Sequence, residues 1–99
     1  MSRVERKSYK IPNSFLLSQN YPNPFNPKTI INFQLPKFSS VKLFIYDVLG
    51  KEISILVNET LKPGSYNIEW DASNYASGVY FYRLMAGDFS ETKKMVLVK

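Results

Sequence analysis

Apolar and polar residues alternate along most of this chain with a period of two. Residues 29–35 place Ile31, Phe33 and Leu35 on one face, and Pro36 stops the run. Residues 41–46 place Val41, Leu43 and Ile45 on one face, with Lys42, Phe44 and Tyr46 on the other. That spacing predicts strands, because successive side chains of a strand point to opposite faces. Residues 52–58 continue with Ile53, Ile55 and Val57 in phase; Leu56 is out of phase and marks a place for a bulge. Tyr66, Ile68 and Trp70 alternate next. Residues 78–86 are apolar on both faces apart from Arg83, as a central strand requires. Residues 89–98 form the last strand, and Phe15-Leu16-Leu17 offers a short first one.

The punctuation fits this reading. Asp47-Val48-Leu49-Gly50-Lys51 and Gly87-Asp88 read as hairpin connections, with glycine where positive φ is needed. Lys62-Pro63-Gly64-Ser65 has the proline and glycine of a type II turn, and residues 71–77 form a polar loop. About seven antiparallel strands and no amphipathic helix predict an all-β, immunoglobulin-like β-sandwich. One segment stands apart: Asn20-Tyr21-Pro22-Asn23-Pro24-Phe25-Asn26-Pro27. Its three prolines fix φ and remove three donors, and each pushes its predecessor toward an extended conformation. The segment is expected to run as a stiff strap anchored by Tyr21 and Phe25.

Composition narrows the chemistry. The 99 residues make one domain. With 44% hydrophobic and 15% aromatic residues they build a core without covalent staples. Cysteine and histidine are both absent. Disulfides, iron–sulfur clusters and thiol catalysis are thereby excluded, and the commonest general base and metal ligand is missing. No apolar run is long enough to cross a bilayer as a helix. Residues 1–10 carry Arg3, Arg6, Lys7 and Lys10 against Glu5, a large share of the net charge of +5. Such a block reads as a solvated tail, with contact to an anionic surface as the alternative. Residues 1–14 are therefore expected to be a flexible basic linker, and residues 15–99 the folded domain. No secretory leader is read at the N-terminus; if the parent protein is exported, its signal is expected upstream.

The strap is followed by Thr29, Ile31, Phe33 and Leu35-Pro36, then by Val41-x-Leu43-x-Ile45-Tyr46-Asp47-x-x-Gly50-Lys51-Glu52. Leu56-Val57-Asn58, Gly64 and Trp70-Asp71 come next. The end reads Ser77-Gly78-Val79-Tyr80-Phe81-Tyr82-Arg83-Leu84-x-Ala86-Gly87, then Lys93-Lys94-Met95-Val96-Leu97-Val98-Lys99. Over residues 15–99 this order closely resembles the type A C-terminal sorting domain of the type IX secretion system. It is also similar to the immunoglobulin-like domain of the flagellar hook-capping protein. The resemblance implies a C-terminal signal that directs attached N-terminal cargo from the periplasm across the outer membrane of a Gram-negative bacterium. It implies removal by a sortase-like peptidase and a destination outside the cell or on its surface. The implied partners are the translocon and that peptidase. Asn23, Pro24, Phe25, Gly50, Gly78, Tyr80, Lys93, Lys94 and Lys99 stand in the motif blocks and are the candidate recognition residues. Ser8, Asn13 and Ser14 mark the candidate cleavage linker, ahead of the ordered sheets.

Rival chemistry is weak. A serine nucleophile needs an activating base within reach, and no histidine supplies one, so no enzymatic activity is expected. Asp47, Glu52, Glu69, Asp71 and Asp88 read as turn caps and solvated charges. Asp71, Ser73 and Asn74 share a loop but match no calcium motif. No cofactor, metal or nucleic-acid partner is expected. The alternative functions are a carbohydrate-binding module and a structural spacer of a secreted protein. Trp70, in phase with Tyr66 and Ile68, reads as core; Phe38, Phe44, Tyr46 and Tyr75 are the more exposed candidates for stacking on a sugar. Asn58-Glu59-Thr60 matches a glycosylation sequon by pattern alone. Lys93, Lys94 and Lys99 read either as edge protection or as a docking face.

Overall fold

The computed structural model describes residues 4–8 and 10–99. Eight strands form two antiparallel sheets: β1 Glu5–Ser8, β2 Leu16–Leu17, β3 Lys28–Leu35, β4 Ser39–Tyr46, β5 Glu52–Leu61, β6 Gly64–Asp71, β7 Gly78–Ala86 and β8 Phe89–Leu97. The first sheet has the order β1-β6-β3-β2, the second β5-β4-β7-β8. The chain changes sheets after β3, β5 and β6, the connectivity of an immunoglobulin-like sandwich. β7 lies between β4 and β8, as its two apolar faces require.

The period-two pattern builds the core. Ile31, Phe33 and Leu35 from β3 face Val41, Leu43 and Ile45 from β4, and all six are buried. Ile68 and Trp70 come from β6, Tyr82 and Leu84 from β7, Met95 and Leu97 from β8. Two tyrosines fasten strand starts to the preceding turns. Tyr66 Oη donates to the Lys62 carbonyl and Tyr80 Oη to the Ala76 carbonyl, each at 2.6 Å. This back-bond over four residues is the tyrosine corner of such sandwiches.

Both hairpin readings hold. Gly50 has φ +84, and Asp47 Oδ1 accepts from the Leu49 and Lys51 amides at 2.9 and 3.0 Å. Gly87 has φ +58 in a two-residue loop that sets Ala86 opposite Phe89. Three readings change. Residues 62–63 carry the chain from one sheet to the other, and Gly64 opens β6 at φ +149, far from a type II turn. In β5 the pairing skips Leu56, since Leu43 opposes Val57 and Phe44 opposes Ile55. The bulge expected at Leu56 is thus present. Its consequence is that Leu56 and Val57 are both buried while Ile55 turns outward, out of the phase read for Ile53, Ile55 and Val57. Phe44, taken as exposed, is buried at 7% because Tyr46 and Lys42 cover it on the outer face.

The N-terminal segment also departs from a pure linker. Residues 5–8 pair with β6, Glu5 opposite Asn67 and Arg6 opposite Tyr66. Val4 packs against the core, and the Arg6 guanidinium donates to the Pro63 carbonyl. Val4 and the stem of Arg6 give a stretch that composition marks as polar its contact with the sandwich. Calls that fall on residues 1–3 and 9 lie outside the described residues.

Candidate recognition site

The proline strap ties the first sheet to the end of the second. Tyr21 exchanges both backbone hydrogen bonds with Ile30 of β3 at 2.9 Å. Further on, the Phe25 amide donates to the Val96 carbonyl and the Phe25 carbonyl accepts from the Val98 amide, both at 2.9 Å. The Val96 amide donates to Asn23 Oδ1 at 3.0 Å, and Gln19 Nε2 donates to the Lys94 carbonyl at 2.7 Å. The strap leaves through Pro27, whose carbonyl accepts from the Ala72 amide at 2.8 Å. Its three X-Pro bonds at Pro22, Pro24 and Pro27 are cis. Missing proline donors cost nothing here, because the amides that need partners belong to Phe25, Val96 and Val98.

A buried polar knot fixes the strap's start. Asn20 and Thr29 are almost wholly buried. Asn20 Nδ2 donates to Thr29 Oγ1 at 2.9 Å and to the Pro22 carbonyl at 3.2 Å, and Thr29 Oγ1 donates to that same carbonyl at 2.9 Å. Below them Tyr82 Oη donates to the Ser18 carbonyl at 2.6 Å and accepts from the Asn20 amide at 2.8 Å. Burial pushes the Tyr82 phenol up to about 12, against the Asn20 amide, which favours the charged form.

The candidate residues divide by position. Phe25 is buried, its ring centroid 5.8 Å from Trp70. Tyr80 is buried too, 5.7 Å from Trp70 on another side. Gly78 opens β7 opposite Leu97, and Gly50 shapes the β4–β5 hairpin. These four build the body that is displayed. Lys93 lies on the core-facing side of β8, with Nζ 3.1 Å from Glu91 Oε2. Asn23, Pro24, Lys94 and Lys99 are exposed. Lys99 is tied down at both ends: its amide donates to Ser77 Oγ at 3.0 Å and its Nζ to the Ser73 carbonyl at 2.6 Å. Hydrogen bonds from the Ser73 hydroxyl and amide hold the nearby Asp71 carboxyl below the usual range, with Lys28 and Lys99 adding to the effect. Ser8 ends β1, whereas Asn13 and Ser14 are exposed between β1 and β2.

Strand register also assembles a surface that sequence inspection did not single out. On the outer face of the second sheet Tyr46 opposes Phe81, which opposes Lys94; Phe44 opposes Arg83, and Val79 opposes Val96. The signal was present in the two-faced apolarity of residues 78–86, but only the pairing brings the three strands' outward residues together. Of the rings read as candidates for stacking on a sugar, Tyr75 packs beside the buried Trp70 at 5.5 Å, Phe44 and Tyr46 lie on the outer face of the second sheet, and Phe38 is exposed away from them. Among the described residues there is no cluster of metal-binding side chains and no helix long and apolar enough to cross a membrane.

The family described as secretion system C-terminal sorting domain matches residues 19–99. The chain belongs to this family, the type IX sorting domains that its motifs resemble, and it is therefore a secretion signal. Among solved structures it is similar to PorZ of Porphyromonas gingivalis, described as an essential bacterial surface component of the type-IX secretion system. The two share 17% identity with a TM-score of 0.57; the match covers 88% of this chain and 12% of PorZ. That likeness supports the fold. No curated protein matches the chain.

Proposed function

We propose that this domain is a folded address, read as a surface by the type IX translocon after its cargo has reached the periplasm, and cut from the cargo by a sortase-like peptidase. It is the substrate of that machinery and catalyses no reaction itself. The observation that carries this reading is the clasp between residues 23–25 and residues 96–98. The motif blocks at the two ends of the domain meet there, which supports a signal read from the folded protein. Peptidase access is best at residues 10–14, where Asn13 and Ser14 are exposed beside an open groove of about 290 Å³ lined by Ile11, Pro12 and Gln34.

The test is export. The whole chain is fused behind a fluorescent carrier with a signal peptide, in a host that has the machinery. The expected result is fluorescence on the cell surface or in the medium and recovery of a separate sorting domain. Retention of the fusion inside the outer membrane overturns the reading.

A further inference from the structure

We infer that the outer face of the β5-β4-β7-β8 sheet is the docking surface of this domain, and that it takes an apolar, carboxylate-bearing protein surface of the translocation machinery. The inference rests on the sorting function proposed above and adds the place and chemistry of contact.

The free edges of that sheet are poorly suited to strand addition. Along β8 the outward backbone groups of residues 94–98 are taken by Gln19, Asn23 and Phe25. Upstream, Glu91 and Lys93 point inward from the edge and pair with each other, a device that resists pairing with another chain. At the other edge β5 is broken twice, since its pairing skips Ile53 as well as Leu56. Bulges of this kind twist an edge away from a partner. Recognition then falls to the faces.

The two faces differ in chemistry. The first sheet presents Asn32, Gln34, Asn67 and Glu69 with the aliphatic Leu16 and Ile30, and Asn32 Nδ2 donates to the Tyr66 carbonyl at 3.0 Å and to Asn67 Oδ1 at 2.9 Å. This face is amide-rich and carries no aromatic ring from these strand positions. The second sheet instead presents Tyr46, Phe81, Val79 and Val96 with Arg83 and Lys94 set among them. Lys42 lies 4.7 Å over the Phe44 ring and 3.7 Å from Glu52, the sole carboxylate among these outward positions of the four strands. Cations thus outnumber carboxylates on an apolar ground. Aromatic rings with arginine are what protein interfaces enrich, and the charge selects an acidic partner. Orientation agrees. The N-terminal strand β1, through which cargo is attached, belongs to the opposite sheet, so a bulky cargo leaves this face open.

The experiment uses the carrier fusion with Phe81→Glu, Lys94→Glu and the pair together, and Ile30→Glu on the first sheet's outer face as the comparison. Circular dichroism and urea melts of each isolated chain establish that the sandwich is intact. Export is expected to fall at least about tenfold for Phe81→Glu and for the pair, as at an interface hot spot, and to stay at the unsubstituted level for Ile30→Glu. A photo-reactive residue at position 81 is expected to capture an outer-membrane protein that the same residue at position 30 does not. Normal export of folded Phe81→Glu and Lys94→Glu chains, or equal capture from both positions, overturns the inference and leaves the sorting function standing. Failure of the unsubstituted fusion to leave the cell removes both.

Discussion

Phe25 and Leu97 form a parallel bridge, with the Phe25 amide and carbonyl bonded at 2.9 Å to the residues on either side of Leu97. Both side chains are buried, and the Phe25 ring lies against Trp70. The strap therefore functions as a short extra strand on the second sheet, one that also plugs the open end of the sandwich. Phe25→Ala is expected to cost about 3–4 kcal/mol in urea unfolding, the range for a large aromatic removed from a core. Removal of residues 97–99 takes away the other half of the bridge and is expected to cost at least as much. A loss below about 1 kcal/mol for Phe25→Ala would place the ring outside the core.

Tyr82 supplies a pH-dependent contribution. Its hydroxyl is enclosed by the Ser18 carbonyl and the Asn20 amide, and burial raises its pKa from 10.0 to about 12. The unfolded chain loses this proton first, so the contribution is intact below pH 10 and is lost as pH rises from 10 to 12. Tyr82→Phe leaves the Asn20 amide and Ser18 carbonyl short of a partner and is expected to cost about 1–3 kcal/mol at neutral pH. The gap between the two proteins in urea midpoint should narrow between pH 10 and 12. A gap that stays constant through that window would show that the phenol titrates normally.

The bulge in β5 gives a contrast between neighbours. Leu56 is 7% exposed and Ile55 44%, although the alternation read from sequence assigns them the opposite faces. Leu56→Ala is expected to cost about 2–4 kcal/mol, and Ile55→Ala less than about 1 kcal/mol, as for a surface change. Chemical denaturation of the two variants checks the order. Equal losses would mean that the strand slides between registers.

What sequence could and could not supply follows from the range of each interaction. The alternation of Ile31, Phe33 and Leu35, or of Val41, Leu43 and Ile45, is local, so the strands and their core faces were legible. So were Gly50 and Gly87, where positive φ is set by the turn itself. Motif blocks disclosed the family, now matched over residues 19–99. The outward row of Tyr46, Phe81 and Lys94 was not legible, because it depends on the register of three strands. Nor was β1: its polar composition says linker, and only the site beside β6 makes Val4 and Arg6 useful. Lys93 and Lys94 are adjacent in sequence and looked alike. The pleat sends Lys93 to the core side, beside Glu91, and Lys94 outward.

The position of β1 determines what scission in residues 8–14 does. Every bond there lies after β1, so a cut leaves this strand on the cargo and residues 15–99 behind. β1 has four residues, pairs with Ser65, Tyr66 and Asn67 of β6, and changes register between Arg6 and Ser8. Its anchors are Val4 and the Arg6 guanidinium on the Pro63 carbonyl. So short a strand stays paired because the linker keeps it at a high effective concentration, and that advantage ends when the linker is cut. An engineered protease site after Asn13 in the otherwise intact chain tests this. After cutting, residues 1–13 are expected to separate from the rest in size-exclusion chromatography, while the remainder keeps its β circular dichroism and loses about 1–2 kcal/mol of stability. Hydrogen exchange of the uncut chain is expected to show the amides of residues 5–7 opening without β3 or β6. If the two fragments instead travel together through dilution, β1 holds by its own contacts, and a cut in the linker would leave cargo and sorting domain joined.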